Sequence, residues 1–300
     1  MKKVTLIAIC FLFPFILFGQ NSLELTFKKG DELFEKKDYS KALPYLSEAA
    51  DKGHAGAQAD LGIMYTYGYG VEKDYETALM YLRKSADQGY AKGQMRLGSM
   101  FYHGWGVEND EYKALEWYKK ADEQGLIDAK VAMGILYERG KTIQDYEKAV
   151  SLYRIAADQN VADAQIYLGY MYERGLGVKK DDMIAAKWYR KAAEQGYSMG
   201  QWFLGMSYRM GVGVKRDFQE ALKWFKKSAD QNYPSAQMSI GDMYSNGEGV
   251  PQNFVKAASW YRKASDQENS SAQYKLAELY YYGRGVKQDL NEAVWLYNNT

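Results

Sequence analysis

Residues 57–71 read Ala57-Gln58-Ala59-Asp60-Leu61-Gly62-Ile63-Met64-Tyr65-Thr66-Tyr67-Gly68-Tyr69-Gly70-Val71. One unit later, residues 93–107 read Gly93-Gln94-Met95-Arg96-Leu97-Gly98-Ser99-Met100-Phe101-Tyr102-His103-Gly104-Trp105-Gly106-Val107. Both begin with a small residue and a glutamine, continue through Leu-Gly to an aromatic residue, and end in Gly-x-Gly-Val. The Leu-Gly pair or its substitute recurs at Leu61-Gly62, Leu97-Gly98, Met133-Gly134, Leu168-Gly169, Leu204-Gly205, Ile240-Gly241 and Leu276-Ala277, in steps of 36, 36, 35, 36, 36 and 36 residues. A fixed period of this length marks an array of stacked units, none of which buries its apolar face alone.

A second landmark keeps the same step: Ala42, Ala78, Ala114, Ala149, Ala185, Ala221, Ala257 and Ala293. Bulky residues follow three and four positions on, as in Tyr81-Leu82, Trp117-Tyr118, Trp188-Tyr189, Trp224-Phe225 and Trp260-Tyr261, and a small residue follows at seven. That spacing is one face of a helix. The Leu-Gly stretch carries a helix of its own, so each unit is predicted to be helix, loop, helix, turn. The aromatic columns are expected to be core, because they recur in every unit. A mid-helix glycine costs about 1 kcal/mol relative to alanine and so implies close approach of a neighbouring helix. The Gly-x-Gly pairs are expected to supply positive φ for a tight reversal, with the valine tucked back as a plug. Arg139-Gly140-Lys141-Thr142-Ile143 is one residue shorter and lacks the second glycine, which predicts a locally different loop.

The chain has 300 residues, with 28 Gly, 28 Tyr, 13 Met, 1 Cys and 2 His, and its 39 basic residues nearly cancel its 38 acidic ones. Such balance argues against a nucleic-acid binder, which needs a clustered cationic face. One cysteine and two histidines leave little for thiol chemistry or a His/Cys metal cage, and no cofactor is expected. Lys2 and Lys3 precede an uncharged run from Val4 to Phe18, the form of a bacterial export signal and shorter than the roughly 20 residues of a membrane span. Cleavage is expected near Gly19; a cut before Cys10, giving a lipid anchor, would use only half of the apolar run. Cleavage removes Lys2, Lys3 and the cysteine, leaving 37 basic residues against 38 acidic ones, a formal charge of −1. The expected location is the periplasm or cell envelope, or outside the cell, and stability there must come from packing without disulfides.

Other chemistry-like patterns dissolve in the period. Gly196-Tyr197-Ser198-Met199-Gly200 resembles the nucleophile elbow of esterases, but the same slot holds Gly89-Tyr90-Ala91-Lys92-Gly93, and a helix rather than a strand precedes it. The Gly-x-Gly loops lack the third glycine and the strand of a dinucleotide site. His54 and His103 lie near turns without companions and are expected to be solvated. The recurring acids are assigned to helix starts and solvated surfaces.

The combination Ala-x-x-x-Leu-Gly-x-x-Tyr, Gly-x-Gly-Val, Ala-x-x-Trp-Tyr-x-Lys-Ala-Ala and Asp/Glu-Gln-Gly closely resembles Sel-one-like repeats, relatives of tetratricopeptide repeats, over about residues 53–300. The resemblance implies an all-α fold, a right-handed α-solenoid of about eight antiparallel helix pairs. It also implies a non-catalytic scaffold or adaptor for a protein or peptide partner. The organisation expected is a signal peptide over 1–19, a tetratricopeptide-like cap pair over 20–54 and seven repeats of 36 residues over 55–300, the last incomplete. By analogy with tetratricopeptide repeats, the first helix of each pair lines a concave face. Its variable positions are Tyr67, Met95, Tyr102, Arg139, Tyr170, Arg174, Trp202, Met206, Arg209, Tyr274 and Tyr281, which form the candidate binding groove. Aromatic residues, Met and Arg are the types enriched at interface hot spots. In this scheme Arg139, Arg174 and Arg209 pair with acidic groups of the partner. Two rival classes are a β-lactam-binding or hydrolysing enzyme of a cysteine-rich related branch, whose disulfides are absent here, and an envelope protein that binds glycan.

Overall fold

The computed structural model describes residues 22–299. The expected signal peptide and Cys10 lie outside the described residues. Among the described residues the chain is all helix, with sixteen helices and no strand. They fall into two compact units, one ending at Asp145 and one beginning at Tyr146.

The first unit holds α1 (22–35), α2 (Tyr39–Asp51), α3 (Ala55–Tyr67), α4 (Tyr75–Asp87), α5 (Ala91–His103), α6 (Glu111–Glu123) and α7 (Ile127–Arg139). The second holds α8 (Tyr146–Asp158), α9 (Ala162–Arg174), α10 (Asp182–Glu194), α11 (Ser198–Met210), α12 (Phe218–Ala229), α13 (Pro234–Asn246), α14 (Phe254–Ser265), α15 (Ser270–Tyr282) and α16 (Leu290–Asn298). Within each unit consecutive helices pack on one another, and first helices also pack two along the chain, α3 on α5, α5 on α7 and α9 on α11. The fold is an all-α solenoid.

The mid-helix glycine does what the sequence implied. A Cβ on Gly62 would lie 2.5 Å from Leu82, one on Gly205 2.6 Å from Phe225, and one on Gly241 2.5 Å from Tyr261. The ring opposite the glycine is enclosed: Tyr153, Tyr189, Phe225 and Tyr261 are at most 2% exposed. The column just before it is not uniformly core. Trp117, Trp188 and Trp260 are half-buried, and only Trp224 is buried. They sit at the outer edge of the second helix, where no further layer covers them. The lysine three residues on closes over each ring instead: Lys120 over Trp117 at 4.1 Å, Lys191 over Trp188 at 4.0 Å, Lys227 over Trp224 and Lys263 over Trp260 at 4.3 Å.

The loops follow the glycine rule. Gly68, Gly104, Gly175, Gly211, Gly247 and Gly283 end their helices in the left-handed region, with φ between 65° and 76°. The second glycine of each pair lies against the start of the preceding second helix, as Gly249 does against Phe218. The loop then ends in an acidic or amide N-cap, so that Asp74, Asp110, Asp181, Asp217, Asn253 and Asp289 each accept backbone N–H groups of the helix they start.

The odd loop is different, as its sequence predicts. Gly140 has φ −60° and ψ 140°, not the left-handed cap. Glu111 holds it in place: its carboxylate accepts the N–H groups of Lys141 (2.6 Å), Thr142 (2.9 Å) and Ile143 (3.2 Å). Elsewhere the position of Glu111 carries Tyr39, Tyr75, Tyr146, Asp182, Phe218 or Phe254, each beneath a glycine. Where the second glycine is missing, the Glu111 side chain reaches up to the loop's N–H groups instead.

One expectation fails at His54. Rather than being solvated, it stacks on Phe27 at 4.0 Å, and its Nδ1 accepts the N–H of Ala57 as the N-cap of α3. Its Nε2 is then left to donate toward Glu24, 3.2 Å away. His103 also has a companion, stacking on Trp105 at 4.2 Å.

Candidate functional site

The eleven groove positions separate once side chains are placed. In the first unit, Tyr67 is 40% exposed and stacks on Tyr69 while meeting Trp105 edge-on. Tyr102 is half-buried and meets His103 edge-on. These rings belong to a chain of contacts that includes Tyr39 on Tyr69 (4.7 Å) and Tyr75 on Trp105 (5.9 Å), a stack that ties three successive loops together. Met95 is buried, so it is core rather than groove lining. Arg139 pairs with Glu138 of its own helix, Nε to Oε1 3.4 Å.

The second unit contains a defined apolar hollow. Trp202, Phe203, Met206, Ser207 and Met210 of α11, with Glu173 of α9 and Val212 of the loop, line a cavity of about 200 Å³. Trp202 is fixed from behind, because its Nε1 donates to Ser239 Oγ at 3.0 Å and its ring meets Phe203 at 4.8 Å. Met210 stands at the mouth, 64% exposed. Glu173 accepts the hydroxyl of buried Tyr189 at 2.8 Å. Burial first, and then the Glu173 charge, push that phenol well above its ordinary range, so it stays a neutral donor. Beside the hollow, on α9, Tyr170 and Arg174 occupy the repeat positions that Met206 and Met210 occupy on α11. Arg174 is exposed, and its Nε lies 3.5 Å from the Tyr170 hydroxyl.

Arg209 does not present a free cation. Its Nε and Nη2 reach Glu248 at 2.5 and 3.2 Å, and its Nη1 reaches Asp242 at 3.4 Å. Asp242 also accepts the Tyr261 hydroxyl at 2.8 Å. Burial opposes charge on Glu248, yet the Arg209 and Asn246 hydrogen bonds hold its carboxyl below its ordinary value. The physical reason is register: the guanidinium leans toward the next repeat, where the x of Gly-x-Gly is Glu248. Tyr274 and Tyr281 are about half exposed on α15, Tyr274 against Tyr297 and Tyr281 against Tyr282.

The structure thus brings Trp202 and Met206 together in one hollow, sets Tyr170 and Arg174 beside it, and withdraws Met95 and Arg209. Phe203, Met210 and Glu173 complete the hollow. Met210 shares the variable column of Tyr67, Arg139 and Arg174, and Glu173 that of Tyr102, Arg209 and Tyr281, while Phe203 falls in the column just before the leucine, filled elsewhere by Asp60, Arg96, Tyr167 and Lys275, which the groove positions did not include. Among the described residues no group of His, Cys, Asp and Glu could hold a metal ion, and no helix is long and apolar enough to cross a membrane.

The Sel1 repeat profile matches the chain eight times, at residues 27–54, 55–90, 91–126, 127–161, 162–197, 198–233, 234–269 and 270–298. The chain belongs to the Sel1 repeat family. No curated protein matches its sequence. Among solved structures, a protective antigen present in uropathogenic Escherichia coli strains, which displays an SLR fold, is 35% identical with a TM-score of 0.63, over 92% of this chain and 61% of that one. This Sel1 repeat chain therefore spans less than two thirds of that antigen's length. A Sel1 repeat protein from Oxalobacter formigenes is 34% identical with a TM-score of 0.67, over 94% of this chain and 83% of its own. An immunity protein from Pseudomonas aeruginosa, 22% identical over 70% of this chain and 81% of its own, shares the fold with a TM-score of 0.52. Sel1 repeat proteins are in general non-catalytic protein-interaction scaffolds.

Proposed function

We propose that this Sel1 repeat protein is an exported adaptor whose second unit captures an extended peptide segment of a partner protein. The observation that carries this is the hollow of Trp202, Phe203, Met206 and Met210: four large apolar side chains converge on about 200 Å³ that none of the described residues fills. A hollow of that size takes one bulky apolar side chain, while Arg174 and Tyr170 alongside supply a cation and a hydroxyl for the backbone or an acidic neighbour. Methionine is suited to such a site because its flexible thioether adapts to the shape it meets.

Selection from a displayed peptide library tests this. Retained peptides are expected to share a large apolar residue, and Met206→Asp and Met210→Glu should each weaken them at least about tenfold. Met183→Glu, an exposed methionine on α10, serves as the control. Peptides that bind the pocket variants as well as the parent would remove the hollow from the function. Export is tested separately, by the mass of the protein recovered from an envelope fraction: a chain beginning at Gln20 is expected, and one beginning at Met1 rejects it.

A further inference from the structure

One buried acid in the first unit is required by nothing in the fold. Asp60, on α3, is 5% exposed, and its Oδ2 has no hydrogen-bond partner among the described residues. It stands just before the leucine of the Leu-Gly pair. In the later repeats that position is Arg96, Ala132, Tyr167, Phe203, Ser239 and Lys275, so the packing of a first helix asks for no carboxyl there. An ionised carboxylate buried without a partner is costly, and such groups concentrate where a protein binds or reacts.

The acids around Asp60 occupy columns that the second unit uses at its hollow. Gly30 is the mid-helix glycine of α1: a Cβ there would lie 2.8 Å from Leu46, as one on Gly62 would press on Leu82. Counted from it, Asp31 and Glu35 hold the positions of Tyr170 and Arg174 on α9, and Asp60 holds that of Phe203 on α11. Phe203 is a wall of the hollow. Leu33 and Phe34 of α1 pack on the core cluster that contains Leu61 and Met64, which sets α1 against α3. The charges of Asp31 and Glu35 both bear on Asp60, as do those of Lys92 and Arg96 on α5, and the Tyr90 hydroxyl just before α5 lies within reach of the same field. Neither cation closes on the covered Oδ2.

We infer that Asp60, Asp31 and Glu35 form an acidic subsite for a lysine or arginine side chain of a protein partner. Among the described residues no group of acids converges closely enough to hold a metal ion. An ammonium on its flexible stem, or a guanidinium, spreads several N–H donors and reaches carboxyls that a single ion does not bridge. It also brings a counter-charge to the covered carboxyl. Columns that are apolar at the hollow of the second unit are thus acidic in the first, so the two units select different side chains. The inference shares the adaptor reading above but not its hollow, since capture of a basic side chain here is independent of what fills the space beside Trp202.

Fluorescence anisotropy of the full chain with a labelled, capped tri-lysine peptide tests this, with capped tri-glutamine as the neutral counterpart. The lysine probe is expected to bind and the glutamine probe is not. Asp60→Asn and Glu35→Gln should each weaken the lysine probe at least about fivefold, while Glu76→Gln, which removes an exposed carboxylate from α4, should leave it unchanged. Asp60→Asn relieves a buried charge and is expected to stabilise the free chain at pH 8, so its loss of binding is not a loss of fold. Affinity for the lysine probe should rise about tenfold from pH 6 to pH 8, as Asp60 ionises at about 7, and the rise should vanish in Asp60→Asn. A lysine probe that binds parent and Asp60→Asn alike, or binds neither, overturns the proposal. Because the probe carries no large apolar side chain, its failure leaves the hollow of the second unit standing, and failure of the library selection leaves this subsite standing.

Discussion

Two buried carboxylates answer to pH in opposite senses. Glu111 is 7% exposed; burial pushes its carboxyl up, but the N–H groups of Lys141, Thr142 and Ile143 together hold it below its ordinary value. A depressed carboxyl contributes stability that is present above its unfolded-state value and is lost as pH falls through the folded one. Glu111→Gln should therefore cost about 1–3 kcal/mol at pH 7, seen as faster amide exchange at 141–143, and the gap from wild type should narrow below about pH 4. Equal stability of the two proteins at pH 7 would show that the carboxylate does not organise the loop. Asp60, 5% exposed with Oδ2 unpartnered, is the reverse case. Burial, then the nearby Asp31 and Glu35, outweigh Lys92 and Arg96 and push it up to about 7. A raised carboxyl favours the fold below the ordinary value of 3.8, and that contribution is lost as pH climbs to about 7. Asp60→Asn removes the ionisation cost, so it should stabilise the protein by about 1–3 kcal/mol at pH 8 and by less at pH 5. Denaturant melts at the two pH values decide this; a benefit equal at both would mean that Asp60 does not titrate between them.

At the scale of the helix pair, sequence revealed the packing partners within a unit better than it revealed the residues free to bind. The Leu-Gly column and the ring column could be read as a close crossing because both follow helical spacing, which local geometry fixes. Gly205→Ala should cost about 1–3 kcal/mol despite alanine's better helix propensity, since its Cβ would press on Phe225. Combined with Phe225→Ala the cost should be less than the sum of the two, and strict additivity in that double-mutant cycle would mean the glycine answers to something other than the ring. The glutamine bridges were present in the sequence as two separate landmarks, the small-Gln pair and Asp/Glu-Gln-Gly. Their constant separation of 30 residues was the available signal, and it places Gln124 Nε2 2.7 Å from Gln94 and Gln267 Nε2 2.8 Å from Gln237. Arg209 could not be read in this way. Its carboxylates, Asp242 and Glu248, stand at positions that bear no charge in most other repeats, so the period gives no warning that they capture the guanidinium.

Across the molecule, the same period that made the fold readable also hid the site. A repeat array states its architecture eight times, whereas its binding positions are the unrepeated ones, and a single sequence does not separate a variable residue that faces a partner from one that adapts to its neighbour. Met95 and Trp202 are both variable, yet one is buried and the other lines a hollow. The linear architecture has an energetic consequence as well. Each helix touches only those one or two places along, so stability is a sum of pair terms and joint terms with no core spanning a whole unit. A defect should then spread by contact and fade with distance along the chain. Leu204→Ala, at a side chain with no exposure in the middle of α11, should cost about 2–5 kcal/mol locally. Hydrogen exchange read by mass spectrometry should show protection falling most in α10 to α12, less in α9 and α13, and hardly at all in α15 and α16. Uniform loss from α8 to α16 would instead mean that the second unit unfolds as one cooperative block, and that its joints are strong compared with the pairs they connect.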